Sequence, residues 1–288
     1  MRTLSGSLLL TFRELWAMRI TQGVLVIATI AWLLLSFALN LEVVEGSIAA
    51  LRIFGFETNP VNSSFDQETQ EVIRTAVSLD NFVLAINEFV FGAAYFLGTL
   101  LGLFATMPLI GGFLEQGRID LLVSKPISRP RLLTGHLIGV WLTVLALVTY
   151  LVGGVWLSLS LKTGVWDATA LVSIPIIVVM FGVMYSVIMT VTVMTRTSGL
   201  ALVIAYGLIF LSAILAAHDQ IEPVLAPVAA SIYIGFYHVL PNFIEVVAIQ
   251  AQLVSGEAVN SWYPLISSLL FGVTTYGFGY FWFSKRDF

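Results

Sequence analysis

The groups in this chain that could do chemistry are few, and they gather in one stretch. Between Gly111 and His136 the sequence runs GGFLEQGRIDLLVSKPISRPRLLTGH. It holds Arg118, Lys125, Arg129 and Arg131, four of the 13 Lys and Arg, together with the acids Glu115 and Asp120. Pro126 and Pro130 interrupt any continuous helix through it. A basic break of this kind has two uses. Lys125 and Arg129 could pair with acids on a soluble partner, or hold the segment at anionic headgroups at about 1 kcal/mol per charge. Both uses stay open. Glu115 and Asp120 are acids on a basic segment, suited to pairing with basic residues of a partner or of the N-terminal helix. Local helix capping, or intraloop pairs with Arg118, is the competing reading.

Other catalytic patterns are missing. No GxxxxGK(S/T) occurs, so the chain has no P-loop for nucleotide phosphates. There is no HExxH and no GxSxG nucleophile elbow. With no cysteine, disulfides, thiolate metal sites and Cys nucleophiles are excluded. His136, His218 and His238 lie far apart near membrane boundaries and read as satisfied polar groups rather than ligands. Glu88 and Glu245 are the nearest candidates for a membrane carboxylate. Insertion at mid-membrane costs about 2.5–3.5 kcal/mol, so both are expected near the outer surface. No catalytic, cofactor-binding or metal-binding residue is assigned, and no nucleic-acid partner is expected.

The elements around the loop must be membrane spans. The chain has 288 residues, 58% hydrophobic and 10% charged, against about 25% charged in soluble domains, and its mean hydropathy is +0.96. Residues 4–19 place Leu8, Phe12, Leu15, Trp16 and Arg19 at helical spacing. They read as an amphipathic helix lying at the interface, the alternative being an extension of the first span. Spans follow at about 21–40, 83–110, 132–160, 169–194, 200–217 and 263–283. The first is too long for a signal-peptide core and reads as uncleaved.

Residues 41–81 form an acidic outer loop, expected to carry one amphipathic helix capped by Ser63 or Ser64. Residues 218–262 are apolar but broken by Pro223, Pro227 and Pro241. A seventh crossing there would put Lys285 and Arg286 outside. With six spans, Arg2, Arg13, Arg19, Arg118, Lys125, Arg129, Arg131, Arg196, Lys285 and Arg286 lie inside, and Arg52, Arg74 and Lys162 outside. That bias selects six spans with both termini cytoplasmic. Residues 218–262 then dip partway in from outside, where protein or water must cover the broken backbone. One domain over 1–288 suffices, all-α, in the inner (plasma) membrane.

The central loop carries a resemblance. The run Glu115, Gly117, Ile119, Asp120, Leu121, Leu122, Ser124, Lys125, Pro126, Ile127, Ser128, Arg129, Leu132, Leu133, Gly135 and Gly139 resembles the permease subunits of ABC-2 type ABC transporters. The resemblance implies two permease chains, identical or related, forming the pathway, and two copies of a separate cytoplasmic P-loop ATPase that bind ATP and Mg. It implies that residues about 112–124 are a coupling helix seated on the ATPase. Glu115, Gly117, Arg118, Asp120, Ser124, Lys125, Pro126 and Arg129 then form the coupling loop, with the turn at Arg196 as a smaller contact. The expected function is export driven by the partner's ATP hydrolysis. Mechanical work on a periplasmic or extracellular envelope partner is the alternative, and a stand-alone channel or carrier is disfavoured by the lack of central charges.

Overall fold

The computed structural model describes residues 19–44, 47–53, 56–58, 79–114 and 129–285. The interfacial helix over 4–19 (save Arg19), the helix expected after Ser63 and residues 115–128 of the loop fall outside that set.

The first helix, α1, runs Arg19–Ala38. At 1.5 Å per residue its 20 residues reach about 30 Å, the thickness of a bilayer core. The sequence predicts an acidic loop next, but residues 39–44, 47–53 and 56–58 form an antiparallel three-stranded meander. Its strands are β1 (Leu39–Val44), β2 (Ser47–Ile53) and β3 (Phe56–Thr58). The register pairs Leu39 with Ile53, Leu41 with Leu51 and Arg52 with Glu57. Leu39, Leu41 and Val43 alternate with Asn40 and Glu42, the period of a strand. The acids of this region obscure that period when charge is read first.

Helix α2 (Leu79–Phe113) and helix α3 (Arg129–Thr163) each have 35 residues, about 52 Å. Both exceed the expected spans and reach well past a core of about 30 Å. Pro130 sits in the first turn of α3, where its missing N–H costs nothing. After Asp167 caps a 3-10 turn (Ala168–Val172) by accepting from the Thr169 N–H at 2.9 Å, helix α4 runs Ser173–Thr195. Helix α5 (Ser198–Leu215) returns. A short helix α6 (His218–Ile221) and a 3-10 turn (Glu222–Val224) lead to α7 (Pro227–Val239) and α8 (Phe243–Val254). Helix α9 (Tyr263–Lys285) closes the described chain.

Among the described residues four helices are long and apolar enough to cross a membrane, over 83–113, 130–163, 168–195 and 198–215. Helices α7 and α8 add a fifth if taken as one element bent by 58°. The bend follows from Pro241. Proline disfavours helical backbone in the residue before it, and Leu240 is accordingly extended, with φ −86° and ψ 159°. The freed backbone is covered by protein. Ser268 Oγ accepts from the Asn242 N–H at 2.9 Å, and Asn242 Nδ2 donates to Ser267 Oγ at 3.1 Å.

Helix α4 is the axis of the bundle. It packs on α2, α3, α5 and α9, and Ile177, Met180, Phe181, Met184, Tyr185, Ile188 and Met189 are almost wholly buried. A helix apolar on every side belongs in the middle. Small residues let its neighbours approach. A Cβ at Gly182 would lie 2.0 Å from Trp141 Cζ2, and one at Gly279 would lie 2.6 Å from both Met189 Sδ and Thr190 Oγ1. Side-chain donors tie helices to neighbouring backbones. Tyr95 Oη donates to the Phe243 carbonyl at 2.7 Å, Tyr206 Oη to Leu100 at 2.7 Å, Tyr276 Oη to Gly182 at 2.9 Å and Gln250 Nε2 to Phe91 at 3.0 Å.

Candidate functional site

Two places bring polar or charged groups together, one at each end of the bundle. At the first, α2 ends and α3 begins, so the basic loop leaves and re-enters the bundle there. Phe113 stacks on His136 with ring centroids 5.0 Å apart and lies 6.3 Å from the ring of Phe283 on α9. Ile110, Leu114, Leu132, Leu133 and Phe283 are buried around this contact. Both ends of the loop are therefore anchored in one apolar clasp, drawn from three helices. Of the predicted loop residues, Arg129 is the first residue of α3. Glu115, Gly117, Arg118, Asp120, Ser124, Lys125 and Pro126 lie outside the described residues.

Arg196 is at the same end. It is exposed and left-handed, with φ 60°, and its N–H donates to the Thr192 carbonyl at 2.8 Å to close α4. That backbone costs an L-residue roughly 1–2 kcal/mol. Thr195 and Thr197 brace the turn. Thr195 Oγ1 accepts from the Thr197 N–H at 3.2 Å and donates to the Val191 carbonyl at 2.8 Å. Ser198 then abuts α2 so closely that a Cβ on Gly111 would lie 2.8 Å from its Oγ. The end of α2, at Gly111, and the Arg196 turn, at Ser198, thus touch at one end of the bundle. The clasp of Phe113, His136 and Phe283 was not foreseen. His136 reads from sequence as an isolated boundary histidine, and nothing local in the sequence pairs it with residue 113 or 283.

The opposite end carries a polar cluster on the outer helices. Tyr237 Oη donates to Glu245 Oε2 at 2.9 Å, and His218 Nδ1 lies 3.5 Å from Glu245 Oε1. At that distance the imidazole is an electrostatic neighbour and not a hydrogen-bond partner, consistent with the absence of any hydrogen bond at Nδ1. The rings of His218 and Tyr237 are 4.3 Å apart, and Tyr263 lies 5.9 Å from Tyr237 and hydrogen-bonds His238 Nδ1. Burial pushes the Glu245 carboxyl above its ordinary range. Tyr237 and His218 pull it down, and Asp219 adds to the rise. Glu88 is held separately, accepting from Ser255 Oγ at 2.5 Å. Both carboxylates lie on or against α8. Among the described residues no group of three or more His, Cys, Asp or Glu could hold a metal ion.

A family model described as ABC-2 family transporter protein matches residues 13–288. The chain belongs to the ABC-2 family. No curated protein matches it. An ABC-2 permease is the membrane component of its transporter, and the ATPase is a separate ABC subunit. The match covers the loop, the clasp and the Arg196 turn together, so these are parts of one ABC-2 subunit.

Proposed function

We propose that this permease is the membrane half of an ATP-driven exporter, with six spans and both termini cytoplasmic. The loop at 115–128 seats on the ATPase, and the Arg196 turn makes a second contact beside it. The observation that carries this reading is the clasp. A loop that transmits force must be rooted rigidly, and Phe113, His136 and Phe283 join its two ends to a third helix. Gly111 against Ser198 extends that root to the turn between α4 and α5. When the two ATPases close on ATP, movement at the loop is passed to α2, α3, α4 and α9 as a unit. Span six is α9, 23 residues and about 35 Å long. The bent pair α7–α8 enters from outside and returns, which agrees with the bias of Lys and Arg toward the clasp end.

The test is affinity purification of the full chain in mild detergent, with mass spectrometry and an ATPase assay of the eluate. A P-loop ATPase should co-purify in near-equal amount and account for all hydrolysis. ATP hydrolysis that survives rigorous removal of that ATPase would sink the reading.

A further inference from the structure

A groove of about 420 Å³ opens on the outside of the bundle between α3 and α9, floored by Val178 of α4. Its walls include Ile138, Trp141 and Leu145 on α3 and Tyr276 and Tyr280 on α9. Thr134 and Tyr280 close it at the clasp end, their hydroxyls 2.9 Å apart. The other polar atoms are also engaged. Trp141 Nε1 donates to Tyr276 Oη at 3.3 Å, and Tyr276 Oη donates to the Gly182 carbonyl at 2.9 Å. The groove therefore presents carbon to whatever enters it, and a polar solute would find no partner there.

We propose that this groove seats one acyl chain of an anionic phospholipid from the leaflet on the basic side of the membrane. Length is the first argument. From Thr134 to Leu145 the groove follows α3 for about 16 Å, close to half of a hydrocarbon core of about 30 Å. One lipid tail has that reach. Charge is the second. Arg131 is exposed one turn before Thr134, so it lies on the same face of α3 at the mouth of the groove. Neither α3 nor α9 carries an Asp or Glu, so no acid on either wall opposes Arg131. Tyr280 and Thr134 lie between this charge and the apolar run, at the depth where amphipathic groups collect.

Native mass spectrometry of the purified full chain, incubated with phosphatidylglycerol or phosphatidylcholine, tests the site. One phosphatidylglycerol per chain should survive desorption in preference to phosphatidylcholine. Leu142, 51% exposed, and Ile138, 40% exposed, can be enlarged without entering the core. Leu142→Trp and Ile138→Trp should each displace that lipid, while Leu157→Trp, at an exposed position of α3 beyond the groove, should keep it. Arg131→Gln should lower phosphatidylglycerol retention about fivefold, the worth of one cation near the headgroups. No retained lipid, or equal retention in all the variants, would overturn the proposal. So would a dimer that Leu142→Trp dissociates with lipid unchanged, because a second copy would then cover the groove. The site needs only the folded bundle, so its failure and that of the ATPase-coupled reading are separate results.

Discussion

Gly182→Ala tests how tightly α3, α4 and α9 are joined. The added Cβ would fall 2.0 Å from Trp141 Cζ2 and 2.5 Å from Cη2, inside any real contact distance. Trp141 must swing away, and its Nε1 then leaves Tyr276 Oη, now 3.3 Å off. Overpacking of this kind costs roughly 1–3 kcal/mol. The lost hydrogen bond adds about 0.5–1.5 kcal/mol. Ala in place of Gly in a helix returns about 0.8–1.0 kcal/mol. The net is a destabilisation of about 2 kcal/mol. The assay is thermal unfolding of the full chain in mild detergent. Gly98→Ala and Gly277→Ala, where nothing lies within 4 Å of the new atom, are the comparison and should be neutral or slightly more stable. The closest clashes are with Cζ2 and Cη2 at the outer edge of the indole, so Trp141→Phe combined with Gly182→Ala should recover part of the loss. Gly182→Ala as stable as the parent, or no recovery in the double variant, would refute the reasoning.

Other perturbations probe the two ends. The Glu245 carboxyl sits above its ordinary range because of burial, so the folded state holds its proton more tightly than the unfolded chain does. Its contribution is therefore full below the ordinary carboxylate range and is lost as pH rises through the raised value. Thermal midpoints followed across that range should fall with rising pH in the parent and lose this component in Glu245→Gln; identical profiles would reject the buried carboxylate. Asp120→Arg should leave insertion intact and weaken stimulation of the partner ATPase, measured on the purified complex; unchanged coupling would remove Asp120 from the contact. A cysteine at exposed Glu257 should react with an impermeant maleimide on intact cells, and one at Ser128 only after permeabilisation. Labelling of Ser128 from outside would reverse the topology.

What could be read from the sequence was what is local. Pro241 fixes the break between α7 and α8, because its ring acts on the adjacent residue. The short turn at Arg196 follows from a polar run between two apolar ones. The β meander escaped because seven acids in 41–81 suggest solvent more loudly than the alternation in 39–44 suggests a strand. The clasp escaped for a different reason. Phe113 and Phe283 are far apart in the chain, and an aromatic residue at the end of a span predicts an interface, not a partner. The same holds for Tyr237 and Glu245, whose contact depends on a bend of 58°, an angle that no local pattern sets.

The position of α4 divides the subunit into a rigid block and a compliant rim. Its glycine-sized fits to α3 and α9 act like keyed joints, since turning α4 by even part of a residue would drive Trp141 into Gly182 or Met189 into Gly279. Motion during a transport cycle must therefore leave this block undeformed and be taken up where contact is sparse. Helix α7 is such a place, with no buried residue along its 13 positions. In hydrogen exchange the amides of α4 should be the slowest in the chain and those of α7 among the fastest of the helices. A subunit built this way would carry its stroke to the outer surface through the hinge at Pro241.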